Sequence, residues 1–211
     1  MTDIQRISPV QFKVTPLQRE NRDNWDVVTV YADEGDGPYI VDLSHRPRYD
    51  CQSADLASVK PFGLTLPETP GESVLESGVL ANRMNRTQVS LLNLGGDESV
   101  VMPEEPIYTD VTESTLCVAI LGEAVFSICE KLTALDFTDP GRQTPFLYQG
   151  PFSHVPCQIT TLSRDNGNAG ILLTCSRGYG RDMIHSILDA GKEFGLRPAG
   201  EARFTNCLAT L

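Results

Sequence analysis

Asp42, Ser44 and His45 bring the three residue types of a nucleophilic hydrolase into one short segment. On an extended segment, neighbouring side chains point to opposite faces, so Ser44 and His45 cannot share the hydrogen bond that a triad needs. Glu104-Glu105, or Glu123 with Glu130, would suit general acid–base work. Nothing in the sequence brings either pair into one cleft, and a solvated face is the plainer expectation. Asp165-Asn166-Gly167-Asn168-Ala169-Gly170 opens like a calcium loop. Gly167 and Ala169 fill its third and fifth ligand positions, however, and Ser176 stands where a bidentate glutamate is required, so the segment reads as a hairpin turn. Gly178-Tyr179-Gly180 is too short to cradle a phosphate. Arg46, Arg48, Arg83 and Arg86 could meet across adjacent strands around a carboxylate, although exposed strand arginines are the expected outcome. The six cysteines are irregularly spaced and form no C-x-x-C pair, and Cys117, Cys129, Cys157 and Cys175 lie in apolar segments, where they read as core residues.

The elements that would carry these groups are clearest in the second half. Thr115–Leu121 is a β-branched, apolar run that predicts a buried strand. After Gly122-Glu123, the apolar residues Val125, Ile128, Cys129 and Leu132 recur at helical spacing. Residues 136–150 read as a polar Pro/Gly connection. Val155–Ser163 and residues 170–175 form a predicted hairpin around the 164–169 turn. A second helix is predicted over residues 180–194, with Gly195 as its left-handed stop, and Glu201–Leu208 is assigned to a last strand. That order, strand–helix–strand–strand–helix–strand, is the split βαβ arrangement with both helices on one face. In the first half, residues 25–32 and 46–52 predict strands, residues 53–59 a short helix, and residues 79–83 and 88–94 a hairpin around Asn85-Arg86. The division expected is 1–110 and 111–211.

A net charge of −11 repels phosphate backbones, which excludes nucleic acid as the expected partner. No apolar run approaches the ~18–20 residues of a membrane span. The N-terminus lacks the basic and apolar regions of a secretory signal, so a cytoplasmic location is expected. With 40% hydrophobic and 21% charged residues, the composition is that of a globular protein with a sizeable core. No G-x-G-x-x-G follows a strand, so no Rossmann site is expected.

Three stretches resemble the glycine-cleavage T-protein (aminomethyltransferase) family. Ile40-Val41-Asp42-Leu43-Ser44-His45 is similar to the family's Phe-Asp-Leu/Val-Ser-His segment. Leu121-Gly122-Glu123-Ala124, running on to Leu132-Thr133-Ala134-Leu135-Asp136, resembles one of its helices. The last and most specific stretch runs from Asp189-Ala190-Gly191 to Gly195-Leu196-Arg197-Pro198-Ala199-Gly200. The chain's length, and a linker-like Gly141-Arg142-Gln143-Thr144, resemble the sarcosine oxidase gamma subunit family, which shares that fold without a C-terminal β-barrel.

The resemblance implies an α+β protein with two ferredoxin-like (split βαβ) halves of the T-protein, folate-binding type, the N-terminal half reduced and no barrel following. It further implies a non-catalytic scaffold subunit in one-carbon metabolism, docked on larger flavoprotein oxidase subunits. The alternatives are a folate-dependent aminomethyltransferase and a standalone folate-binding protein. Two departures bear on the choice. The hairpin at residues 82–87 has no counterpart of the family's catalytic Asp, and Leu172 stands where the family has the pterin-binding Glu. An apolar residue there cannot bond the pterin, so tetrahydrofolate is expected to bind weakly or not at all, and no cofactor is assigned. Arg203 matches the arginine after the family's Pro-Ala-Gly with one residue fewer between them. Arg203, Arg164 and Arg86 are the expected ligand-facing residues; no catalytic or metal residue is assigned. Phe62, Leu64, Val101 and Met102 are the expected interface residues.

Overall fold

The computed structural model describes residues 4–96, 100–101, 103–165 and 167–210. Met102 and Asn166 therefore lie outside the described residues. The chain forms β1 (Pro16–Arg22), β2 (Trp25–Tyr31), β3 (Tyr39–Asp42), β4 (Arg48–Gln52), β5 (Ser73–Glu76), β6 (Val79–Arg83) and β7 (Gln88–Asn93). It continues through β8 (Tyr108–Asp110), β9 (Thr115–Leu121), helix α1 (Val125–Glu130), β10 (Phe146–Phe152), β11 (Val155–Ser163) and β12 (Gly170–Ser176). Helix α2 (Gly180–Gly191), β13 (Arg197–Ala199) and helix α3 (Glu201–Leu208) follow.

The strands build a β1–β2 ribbon, a six-stranded sheet in the order β10-β11-β12-β9-β3-β13, and a five-stranded sheet in the order β5-β6-β7-β4-β8. β9 shows why the sheets stack. Leu116, Val118 and Ile120 face a cluster with Ile128 of α1 and Ile184 and Ile187 of α2. Cys117, Ala119 and Leu121 face the opposite cluster, with Leu80 and Leu92 of the second sheet and Phe204 of α3. Helices α1 and α2 thus share one face of the six-stranded sheet, and its other face lies on the five-stranded sheet. Burial on both faces is the reason Thr115–Leu121 reads as an unbroken apolar run. The outer face of the five-stranded sheet, with Val79, Ala81, Val89 and Leu91, is covered by Leu56, Leu64 and Leu66 from the connection after β4.

Several expectations are corrected. Residues 53–59 form turns rather than a helix; they still bury Leu56, so the connection covers the sheet without helical geometry. The polar connection after α1 ends early, because Phe146–Phe152 is an edge strand: it pairs with β11 along its length, touches Gly71-Glu72 only at its first two residues, and so tolerates Gly150 and Pro151 on the open side. Glu201–Leu208 is a helix, not a strand; the strand role falls to Arg197–Ala199, and Phe204 then packs from the helix into the inter-sheet layer. The sheet is mixed, because β13 pairs parallel with β3, which pairs antiparallel with β9 and separates it from β13. No helix among the described residues is long and apolar enough to cross a membrane.

Candidate functional site

A dense cluster of ionisable groups forms where α3 begins. The backbone of Gly200 lies against β2, and a Cβ there would sit 2.2 Å from the Thr29 carbonyl oxygen. Its φ of −78° suits any residue, so space alone demands glycine. Gly200→Ala is therefore expected to cost about 3 kcal/mol, measured as a lower urea midpoint at unchanged slope. Glu34 ties the same corner together. It accepts the N–H groups of Gly200 and Tyr31, each at 2.9 Å, and the Nε–H of Arg203, also at 2.9 Å.

This close approach delivers Glu201, only 3% exposed, to three basic side chains. Oε1 lies 2.6 Å from His45 Nε2 and 2.5 Å from an Arg46 guanidinium nitrogen, and Oε2 lies 2.5 Å from Arg22. Burial raises the pKa of the Glu201 carboxyl, but the His45 hydrogen bond and the charges of His45, Arg46 and Arg22 outweigh it and hold the group at about 2. Arg46 reaches the carboxylate past Gly96, where a Cβ would stand 1.7 Å from its guanidinium.

Ser44 is not part of this cluster: its hydroxyl donates to the Cys117 carbonyl at 3.3 Å and accepts the Cys117 N–H at 3.2 Å. His45 therefore has a carboxylate behind it and no Ser44 nucleophile in front. Ser44 N–H donates to Asp42 Oδ1 at 2.9 Å, and this turn after β3 sets the direction of His45. Beside the cluster lies a cavity of about 300 Å³ between residues 5–16 and β2. Asp42, His45, Trp25, Tyr31, Phe12 and Val10 are on its wall. A buried carboxylate–imidazole pair beside such a cavity can orient a ring nitrogen toward a small molecule.

The expected ligand-facing arginines are held by different partners. Arg203 stands on Glu34, 5.1 Å above the Tyr39 ring. Arg164 donates to the carbonyls of Phe137 and Arg142, at 2.7 and 2.6 Å. Arg86 is exposed at the β6–β7 hairpin and lends its carbonyl to Arg83 at 2.8 Å. Of the expected interface residues, Leu64 is buried and Phe62 half-buried in the core beneath the five-stranded sheet, whereas Val101 is 68% exposed.

The expectation that Arg46, Arg48 and Arg83 are exposed is corrected: all three are buried. Arg46 grips a carboxylate, but Arg48 and Arg83 bind main-chain carbonyls. Sequence reasoning also missed Glu201, which sat in an assigned strand. Its signal was the preceding Gly200, the one residue able to lie against a strand backbone. Leu172 is 2% exposed and surrounded by the apolar layer between the two sheets, opposite Ala119 and Thr160.

No protein-family model matches the sequence, and no curated protein matches it. Solved structures do. One is a chain of the heterotetrameric sarcosine oxidase from Corynebacterium sp. U-96 in complex with pyrrole 2-carboxylate, with a TM-score of 0.61 and 15% identity. The match covers 74% of this chain and 84% of that one. Another is the glycine cleavage system aminomethyltransferase T from Bartonella henselae, with a TM-score of 0.58 and 13% identity, covering 88% of this chain and 56% of that one. The chain shares the T-protein fold with both.

Proposed function

We propose that the chain is a non-catalytic scaffold subunit that docks on the larger subunits of a flavoprotein amine oxidase of the sarcosine oxidase type. The observation that carries this reading is the likeness to a chain of a heterotetrameric sarcosine oxidase, whose two coverage shares make that chain similar in length to this one. Leu172 supports it: the position where the T-protein resemblance calls for a pterin-binding carboxylate is occupied by a leucine packed among Leu80, Leu92 and Ala119. A fold can be kept while its chemistry is lost, and the reduced N-terminal half belongs to the same reading. Among the described residues offered as the docking face, Val101 is the most exposed.

The test is co-expression with candidate flavoprotein subunits, followed by size-exclusion chromatography and a tetrahydrofolate titration. The expected outcome is stoichiometric co-elution and folate affinity weaker than micromolar, the level at which net binding reaches about −8 kcal/mol. A monodisperse monomer that turns over an aminomethyl donor with folate would replace this reading with the transferase.

A further inference from the structure

Two residues on the wall of the cavity beside His45 carry a polar group without a matching partner: Asp42, whose carboxylate pairs with no cation, and Trp25, whose buried Nε1–H has no acceptor among the described residues. Asp42 accepts from the Ser8 hydroxyl at 2.5 Å and from the Ser44 N–H at 2.9 Å, both neutral donors, and forms no ion pair among the described residues. The cations on the same wall are already matched: Arg6 by Asp23 and Glu113, and Arg19 by Asp26. Arg48 acts on Asp42 only through space, because its N–H groups are engaged with main-chain oxygens and Thr115. His45 Nε2 is engaged by Glu201 Oε1 at 2.6 Å, so that end of the ring is already taken by a carboxylate.

Aromatic rings share the wall with Asp42. Phe12 and Tyr31 meet edge to face with centroids 5.9 Å apart, and Trp25 lies on the same wall. Burial first, and then the charge of Asp42, push the Tyr31 hydroxyl up to about 12, so it adds no second negative charge. A neutral apolar occupant would leave the Asp42 carboxylate unmatched, and an anion would meet it directly. A cation gains from the carboxylate, and from an aromatic ring wherever it meets the ring at its face.

We propose that this cavity is a binding site for a small organic ammonium ion, taken by Asp42 and seated against Phe12, Trp25 and Tyr31. At about 300 Å³ the space admits a body of about ten non-hydrogen atoms. The inference is independent of the subunit reading, since it needs no partner chain.

Trp25 is the sole tryptophan, so intrinsic fluorescence reads the site directly. The experiment titrates the whole chain with benzylammonium chloride, benzyl alcohol and phenylacetate. A saturable change with benzylammonium is expected at about 1 mM or below, with the alcohol and the anion at least about tenfold weaker. Asp42→Asn keeps one acceptor, enough for the Ser44 N–H, and sets its NH2 against the Ser8 hydroxyl, whose oxygen can accept from it; the variant is expected to abolish that preference. Equal response to alcohol and ammonium overturns the proposal, as does no saturable change up to about 10 mM. A folded Asp42→Asn protein that still prefers the ammonium overturns it too. Should that variant fail to fold, the comparison of the three probes on the unmodified chain decides alone.

Discussion

Glu201→Gln is expected to lower stability by about 3–5 kcal/mol, because it leaves the buried Arg46 facing a neutral amide; Arg22, part-exposed and also paired with Glu20, adds little to the loss. The effect has a pH signature. Glu201 shifts from its ordinary 4.5 to about 2 on folding, so the unfolded chain holds more protons between those values. Its stabilisation is complete above about pH 5 and is lost as pH falls toward 2. Urea unfolding at pH 7 and pH 3 checks both parts: the gap between the two proteins should be widest at pH 7 and narrow in acid. A constant gap would mean that the carboxylate's charge contributes nothing.

Arg48→Met is expected to prevent folding to a native state. The guanidinium is 2% exposed and donates to the carbonyls of Leu43, Ser44, Arg46, Thr112 and Thr115 and to the Thr115 hydroxyl. Methionine fills similar space but offers no donor, and each buried carbonyl left unpaired costs about 1–3 kcal/mol. The sum is comparable with the entire stability of a domain, about 5–15 kcal/mol. Soluble yield and near-ultraviolet circular dichroism measure it. Arg48→Lys keeps the charge but has three donors, and it should fall between the two.

The elements legible in the sequence are those whose burial follows a simple period. β9 shows itself by apolar continuity, β11 and β12 by alternation across a polar turn, and α2 by Ile184, Ile187, Leu188 and Gly191 at helical spacing. β10 escaped because Gly150 and Pro151 resemble loop residues, and only the one-sided pairing of an edge strand makes them acceptable. α3 was misread because eight residues with few apolar positions fit either period. The close approach of Gly200 to Thr29, a tertiary fact, settles which one forms. The arginines illustrate a different limit. Composition places arginine outside, and no spacing rule counts the carbonyl oxygens that would hold Arg48 or Arg83 inside. The candidate site was legible only in part: His45 and Asp42 were noticed for a triad they do not form, and Glu201, 156 residues away from His45, was not.

The position of β3 between β9 and β13 has a consequence for how the chain is made. During synthesis the Tyr39–Asp42 segment emerges long before its neighbours at residues 118–121 and 197–199 exist. Its main-chain groups must wait for partners about 80 and 160 residues downstream, and contacts this distant in sequence are slow to form. Until Ala199 leaves the ribosome, the sheet has an open edge beside β3, a surface that nascent chains present to chaperones or to one another. The arrival of β13 and α3 closes that edge and inserts Glu201 between Arg22 and His45, so completion of the sheet and assembly of the charge cluster are a single late event.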